Sequence, residues 1–223
     1  MSERQPETGF LNRRLDGGGR RYAVYLPREY DPNTKWPLIL FLHGSGERGD
    51  DGLQPTEPGF GRALRRWPER FPIIAAMPQC PAKVFWDAAI DHVEAVYEAA
   101  MAEFPIDPDR IYLTGISIGG YAAWMLGAMN VDRYAALMPI CGGGFEGDAA
   151  KLARVPIWAF HGEDDATVLP SESRRMVEAV RAAGGLVKYT EFKDTAHNAW
   201  DPAYSDPKAI AWLLKQRRTA RAH

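Results

Sequence analysis

Ser117 sits in Gly115-Ile-Ser-Ile-Gly119, with a glycine two residues to either side. That spacing has a mechanical reason. A serine that projects its hydroxyl from a strand-to-helix turn occupies a strained backbone and needs small neighbours where the two elements pass close. The helix that follows directs its N-terminus toward the hydroxyl, which favours developing negative charge there. Taken alone, the pattern also fits a Gly/Ser turn without chemistry. Its context argues for the first reading: Ile111-Tyr-Leu113 reads as a short buried strand, and Tyr121 to Leu126 as the start of a buried helix.

A serine hydroxyl is a weak nucleophile at neutral pH and needs a base, with a third group to orient that base. Of the five histidines, His223 is terminal and His92 falls within a helix, as a surface or packing residue. His43 and His161 end strands and precede glycine, which fits buried imidazoles that tie loops together. His197 lies in Asp194-Thr-Ala-His-Asn-Ala-Trp200, after the last strand and before the last helix. Loops at the carboxyl ends of parallel strands carry the site in such sheets, so His197 is the candidate base. The acid belongs on another such loop. Glu163, Asp164 and Asp165 stand in a row after His161; periodicity does not choose among them, and the run alone also fits a solvated acidic turn.

The elements that must position these groups follow from the pattern. Residues 1–19 are polar and Gly-rich and read as a flexible N-terminal arm, leaving 20–223 as one domain. Arg21 to Leu26 alternates and is closed by Pro27, as an edge strand would be. Pro37 to His43, Ile73 to Met77, Ala135 to Ile140 and Pro156 to His161 are apolar runs suited to strands covered on both faces. Val187 to Phe192 is a further strand. Helices are expected near Gly61–Trp67, over Asp87–Phe104, from a Ser171 cap to Ala183, and after Asp206-Pro207. Strand and helix in alternation mean an α/β fold: a mostly parallel sheet with helices on both faces.

The totals exclude several classes. The chain has 223 residues, 46% of them hydrophobic, which suffices for a sizeable core. A formal net charge of −2 argues against nucleic acid or an anionic membrane as the main partner. No apolar run reaches the roughly 18 residues of a membrane span, and Met1 to Thr8 has no apolar signal region, so a cytoplasmic monomer or homodimer is expected. The two cysteines, Cys80 and Cys141, follow strands and read as buried small hydrophobes, with one disulfide as the alternative. Their spacing suggests no metal site. Neither Gly17-Gly-Gly19 nor Gly142-Gly-Gly144 has the context of a phosphate cradle, and both read as turns.

In combination, Gly115-Ile-Ser-Ile-Gly119, His161-Gly-Glu-Asp-Asp165 with Val168, and His197 resemble the α/β-hydrolase family. The likeness runs from Tyr22 to Leu214. Leu42-His-Gly-Ser-Gly-Glu-Arg-Gly49 and Met77-Pro-Gln-Cys80 resemble a compact branch of phospholipase/carboxylesterase-like, dienelactone-hydrolase-like and feruloyl-esterase-like enzymes and small peptidases. The resemblance implies Ser117 as nucleophile, His197 as base and Asp165, at the D of H-G-x-x-D-x-x-V, as orienting acid. It implies an oxyanion hole from the backbone N–H of Ile118 and of Ser45, with Gly44 as the alternative. No cofactor or metal is implied.

The expected activity is therefore that of a serine carboxylesterase acting on a small-molecule ester with a short or aryl acyl group. About ten residues, 145–154, separate two strands where larger lipases insert a lid, so an open, shallow site is expected. Trp86 and Trp200 are candidates for a pocket wall, with core packing as the alternative. Glu47 and Arg48 read as a structural pair or as polar contacts to substrate. Rival readings are a small serine peptidase or amidase, an acyl-thioesterase or lysophospholipase, and a binding protein that kept the fold and lost activity.

Overall fold

The computed structural model describes residues 7–218. Among them, eight strands form one sheet: β1 (Gly9–Arg14), β2 (Arg21–Leu26), β3 (Trp36–Leu42), β4 (Ile74–Pro78), β5 (Ile106–Ile116), β6 (Ala136–Ile140), β7 (Ile157–Gly162) and β8 (Val187–Phe192). Their order is β1-β2-β4-β3-β5-β6-β7-β8. From β4 to β8 every pairing is parallel; β1 and β2 are antiparallel additions at one end.

The period of two decides which face each strand residue covers. On β3, Leu38, Leu40 and Leu42 point into one apolar layer, while Ile39 and Phe41 point into the other. Helices α2 (Ile90–Glu103), α3 (Ile118–Met129) and α5 (Ser171–Ala182) cover the first layer through Val93, Val96, Trp124, Leu126, Met176 and Val180. On the second, α1 (Gly59–Arg66), α6 (Trp200–Ser205) and α7 (Pro207–Lys215) contribute Phe60, Leu64, Tyr204, Ile210 and Leu213. Between β6 and β7 there is only a short turn and the four-residue α4 (Ala149–Leu152), so no lid is inserted there.

Three expectations need correction. Residues 9–14 are not part of a loose arm: they form β1, whose backbone pairs with β2 from Gly9↔Leu26 to Arg14↔Arg21. Residues 1–6 lie outside the described residues. Consequently β2 is not an edge strand; β1 flanks it on one side and β4 on the other. Ser171 is the first residue of α5 and makes no capping hydrogen bond, the chain entering the helix from Pro170. Cys80 and Cys141 are buried free thiols, as their leading reading had it, and the alternative disulfide does not form. Asp206, in contrast, caps α7 as expected, its carboxylate accepting from the Lys208 N–H at 2.8 Å.

Candidate active site

The carboxyl ends of the parallel strands open on one edge of the sheet, where Ser117, Asp165 and His197 follow β5, β7 and β8. Ser117 is the single residue between β5 and α3. Its φ of 55° and ψ of −121° place a residue with a Cβ in a strained backbone region. The turn can be that sharp because its glycines touch backbone: a Cβ on Gly119 would lie 2.0 Å from the Leu42 carbonyl oxygen, and one on Gly115 2.1 Å from that of Gly119. The Ser117 N–H is held by the Ile140 carbonyl at 3.0 Å.

His197, 80 residues further on, reaches this serine. Its Nε2 lies 2.9 Å from Ser117 Oγ, and its Nδ1 2.7 Å from Asp165 Oδ2. Since a carboxylate only accepts, Nδ1 carries the proton and Nε2 is free to accept from the serine hydroxyl. The Trp200 ring stands edge-on to the imidazole at 5.2 Å.

Among the three carboxylates the fold separates what periodicity could not. Glu163 and Asp164 are exposed, while Asp165 is 2% exposed. Its Oδ1 accepts from the N–H groups of Thr167 and Val168, both at 2.9 Å. Burial pushes this carboxyl upward, but the His197 imidazole and those two amides outweigh it and hold it below the usual range, so it stays ionised. Cys141 Sγ, His161 and Asp165 bring ligand-capable atoms within 4.8 Å of one another. Each has a partner in the protein: Cys141 Sγ donates to the His197 carbonyl at 3.4 Å, and His161 Nε2 lies 2.9 Å from the Val168 carbonyl.

The loop after β3 passes close by. A Cβ on Gly44 would lie 3.6 Å from that of Ser117. His43, fully buried, organises this loop. Its Nε2 accepts from the Cys80 N–H at 2.9 Å, so its Nδ1–H donates to the Gly44 carbonyl at 2.6 Å. A trans peptide points C=O and N–H opposite ways, so fixing the Gly44 carbonyl also fixes the direction of the Ser45 N–H. The Ser45 carbonyl accepts from Arg48 Nε at 3.0 Å, and the His43 carbonyl from Trp86 Nε1 at 3.1 Å. Ile118 opens α3, where an N–H has no acceptor within its own helix. Glu47 and Arg48 do not pair with each other: Arg48 binds backbone carbonyls, and burial raises the Glu47 carboxyl, whose Oε2 lies against Gly44.

A cleft of about 490 Å³ is lined by Trp86, Ile118, Tyr121, Ala122 and Met125, with Phe85 and Phe145 at its rim; it meets the serine turn at Ile118, while Ser117, Asp165 and His197 do not line it. Both rim aromatics are exposed, at 57% and 75%. Trp86 is buried and also lines the cleft. Trp200 does not line it, and packs instead against His197 and Gly59. The site is open to solvent along an apolar cleft, without a lid inserted between β6 and β7. Phe85, Tyr121, Met125 and Phe145 were not foreseen; the Phe85-Trp86 pair was the available signal, whereas the others come together only in space.

A parallel sheet flanked by helices, with a serine on the tight turn after its central strand and an acid and a histidine on later loops, defines the α/β-hydrolase fold. The chain belongs to the dienelactone hydrolase family, which matches residues 68–211. It is similar to a solved thermostable esterase, with a TM-score of 0.84 and 31% identity over 94% of this chain and 63% of that one. A feruloyl esterase module from Clostridium thermocellum, solved with sinapinate, shares the fold at a TM-score of 0.75 and 15% identity, over 96% of this chain and 90% of that one. Curated relatives include a bifunctional acetylxylan esterase/xylanase of Neocallimastix patriciarum, 26% identical over 69% of this chain. Feruloyl esterase D of Neurospora crassa is 24% identical over 73% of this chain. The chain spans 22% and 59% of these two relatives' lengths. No helix among the described residues is long and apolar enough to cross a membrane.

Proposed function

We propose that this chain is a serine carboxylesterase working through an acyl-enzyme. Ser117 Oγ attacks the ester carbonyl carbon while His197 Nε2 takes its proton. The tetrahedral oxyanion is bound by the N–H groups of Ile118 and Ser45. Collapse expels the alcohol, which receives the proton from His197. Water then attacks the acyl-enzyme with His197 again as base, and the carboxylic acid leaves Ser117 free. Asp165 keeps the imidazole in the tautomer that accepts at Nε2 and stabilises its charged form.

The observation that carries this reading is the unbroken line Ser117 Oγ–His197 Nε2 and His197 Nδ1–Asp165 Oδ2, at 2.9 and 2.7 Å, assembled from three separate loops. The Ser45 assignment is supported by the His43 and Arg48 contacts that orient the peptides around it. The aromatic and apolar walls of the cleft favour short-chain or aryl acyl groups. Hydrolysis of p-nitrophenyl esters from acetate to decanoate, together with an aryl ester, tests the reading. Turnover is expected on short and aryl esters, falling toward decanoate, with kcat lowered on the order of 10⁶-fold in Ser117→Ala. Activity that survives in that variant would remove Ser117 from the mechanism. Flat activity out to decanoate would leave the chemistry and replace the substrate class.

A further inference from the structure

Asp165 is approached by two imidazoles at the same oxygen. His197 Nδ1 lies 2.7 Å and His161 Nε2 3.2 Å from Oδ2. His161 is fully buried near the end of β7, four residues before Asp165 in sequence, and takes no part in the reaction proposed above.

Its protonation follows from its neighbours. Nε2 faces the Val168 carbonyl at 2.9 Å and Asp165 Oδ2, both of which only accept. A proton must therefore sit on Nε2, shared between the two. Nδ1 lies 2.7 Å from the Ser173 hydroxyl, whose oxygen is also 2.8 Å from the Gly142 carbonyl. If Ser173 donates to Nδ1, His161 is neutral. If it donates to Gly142, Nδ1 must carry a second proton and His161 is a buried cation. Burial draws the His161 pKa down, against the cation.

We propose that His161 is a positioning residue, whose Nε2–H donates to Asp165 Oδ2 and so limits how tightly that carboxylate holds the proton His197 acquires during the reaction. The assignment rests on the Ser117–His197–Asp165 reading. A carboxylate with one donor fewer is a stronger partner for an imidazolium. Losing the His161 donor therefore retains the proton on His197 to higher pH and leaves less free base. The other groups facing His161 hold their charge through this range. Cys141, after β6, has its thiol pushed up to about 12 by burial. Glu191, on β8, is kept ionised by Arg174, whose Nε donates to it at 2.9 Å.

The test is the pH profile of kcat/KM on p-nitrophenyl butyrate for wild type, His161→Gln and His161→Asn. A glutamine amide reaches the position of Nε2 and restores a donor to Asp165; an asparagine amide reaches only the position of Nδ1. The acid limb is expected to stay in place for the glutamine variant and to move up by about one pH unit for asparagine, lowering activity roughly tenfold at pH values well below the limb. Equal limbs in all three proteins, or a loss uniform across pH, would overturn the assignment. Nitrogen NMR of histidine-labelled wild type gives a second reading that needs no variant to fold. It is expected to show a proton on His161 Nε2, and a proton on Nδ1 alone would equally overturn the proposal. Ser117→Ala separates the two levels. If that variant is inactive and the limbs coincide, only the His161 role fails; if it remains active, the underlying mechanism fails.

Discussion

Ser117 holds an unfavourable backbone conformation because its surroundings over-determine it: the Ile140 carbonyl fixes its N–H, and the glycines on either side allow no alternative path. Asp165 is selected by a different device, burial with two backbone donors on one oxygen and imidazole on the other. Replacing it tests that device. Asp165→Asn presents an amide where a carboxylate accepted from every side, so His197 loses the partner that fixes its tautomer. We expect kcat to fall on the order of 10⁴-fold, with the fold retained by circular dichroism. Glu163→Gln and Asp164→Asn, at exposed positions, are expected to leave kcat unchanged. Equal effects at all three positions would show that net charge, and not the one buried contact, is what matters. Legibility differs in the same way. Ser117 is readable because its constraint is local and leaves a glycine spacing. The acid is not, because what distinguishes Asp165 from its two neighbours is burial and long-range partners; only the resemblance pointed to it.

The elements that carry these residues were legible where burial is complete. Strands β3, β4, β6 and β7 are covered on both faces and show as apolar runs. β1 is only half-buried, and its sequence, Gly-Phe-Leu-Asn-Arg-Arg, has neither a clean alternation nor an apolar run. Its stability comes from the β2 ladder, which composition does not reveal. The contact between β7 and the loop bearing His197 is equally invisible in sequence, yet it is tight. A Cβ on Gly162 would lie 2.2 Å from the Ala196 carbonyl oxygen and 2.3 Å from that of Thr195. Gly162→Ala therefore pushes backbone against backbone, with no flexible side chain to yield. A loss of about 1–3 kcal/mol is expected in urea unfolding, with a larger fractional loss of kcat because the displaced segment carries His197, the base proposed above. Unchanged activity in a destabilised variant would mean the loop shifts without moving His197.

The whole molecule keeps its buried histidines neutral, and that sets its response to acid. His92 is 8% exposed on α2, and its Nε2 is buried without a hydrogen-bond partner. Burial, helped by the Arg20 charge, draws its pKa down to about 4; burial does the same to His43, also to about 4, under the Gly44 loop. A histidine with a depressed folded-state pKa binds its proton more readily in the unfolded chain. Its contribution to stability is therefore intact at pH 7, declines as pH falls below its ordinary 6.5, and is fully spent near pH 4. Carboxylates such as Asp165 act with the same sign, but chiefly below this window, because their unfolded pKa is already near 4. The interval between pH 7 and 4.5 thus isolates the histidines. His92→Leu removes one titrating group of similar size from the α2 interface. The wild type is expected to lose about 2–3 kcal/mol more than this variant between those two pH values, measured by urea unfolding with equal m-values. The absolute stability of the variant at pH 7 does not enter the comparison. Parallel losses in the two proteins would place the acid sensitivity elsewhere, with His43 and His161 as the groups still buried and neutral.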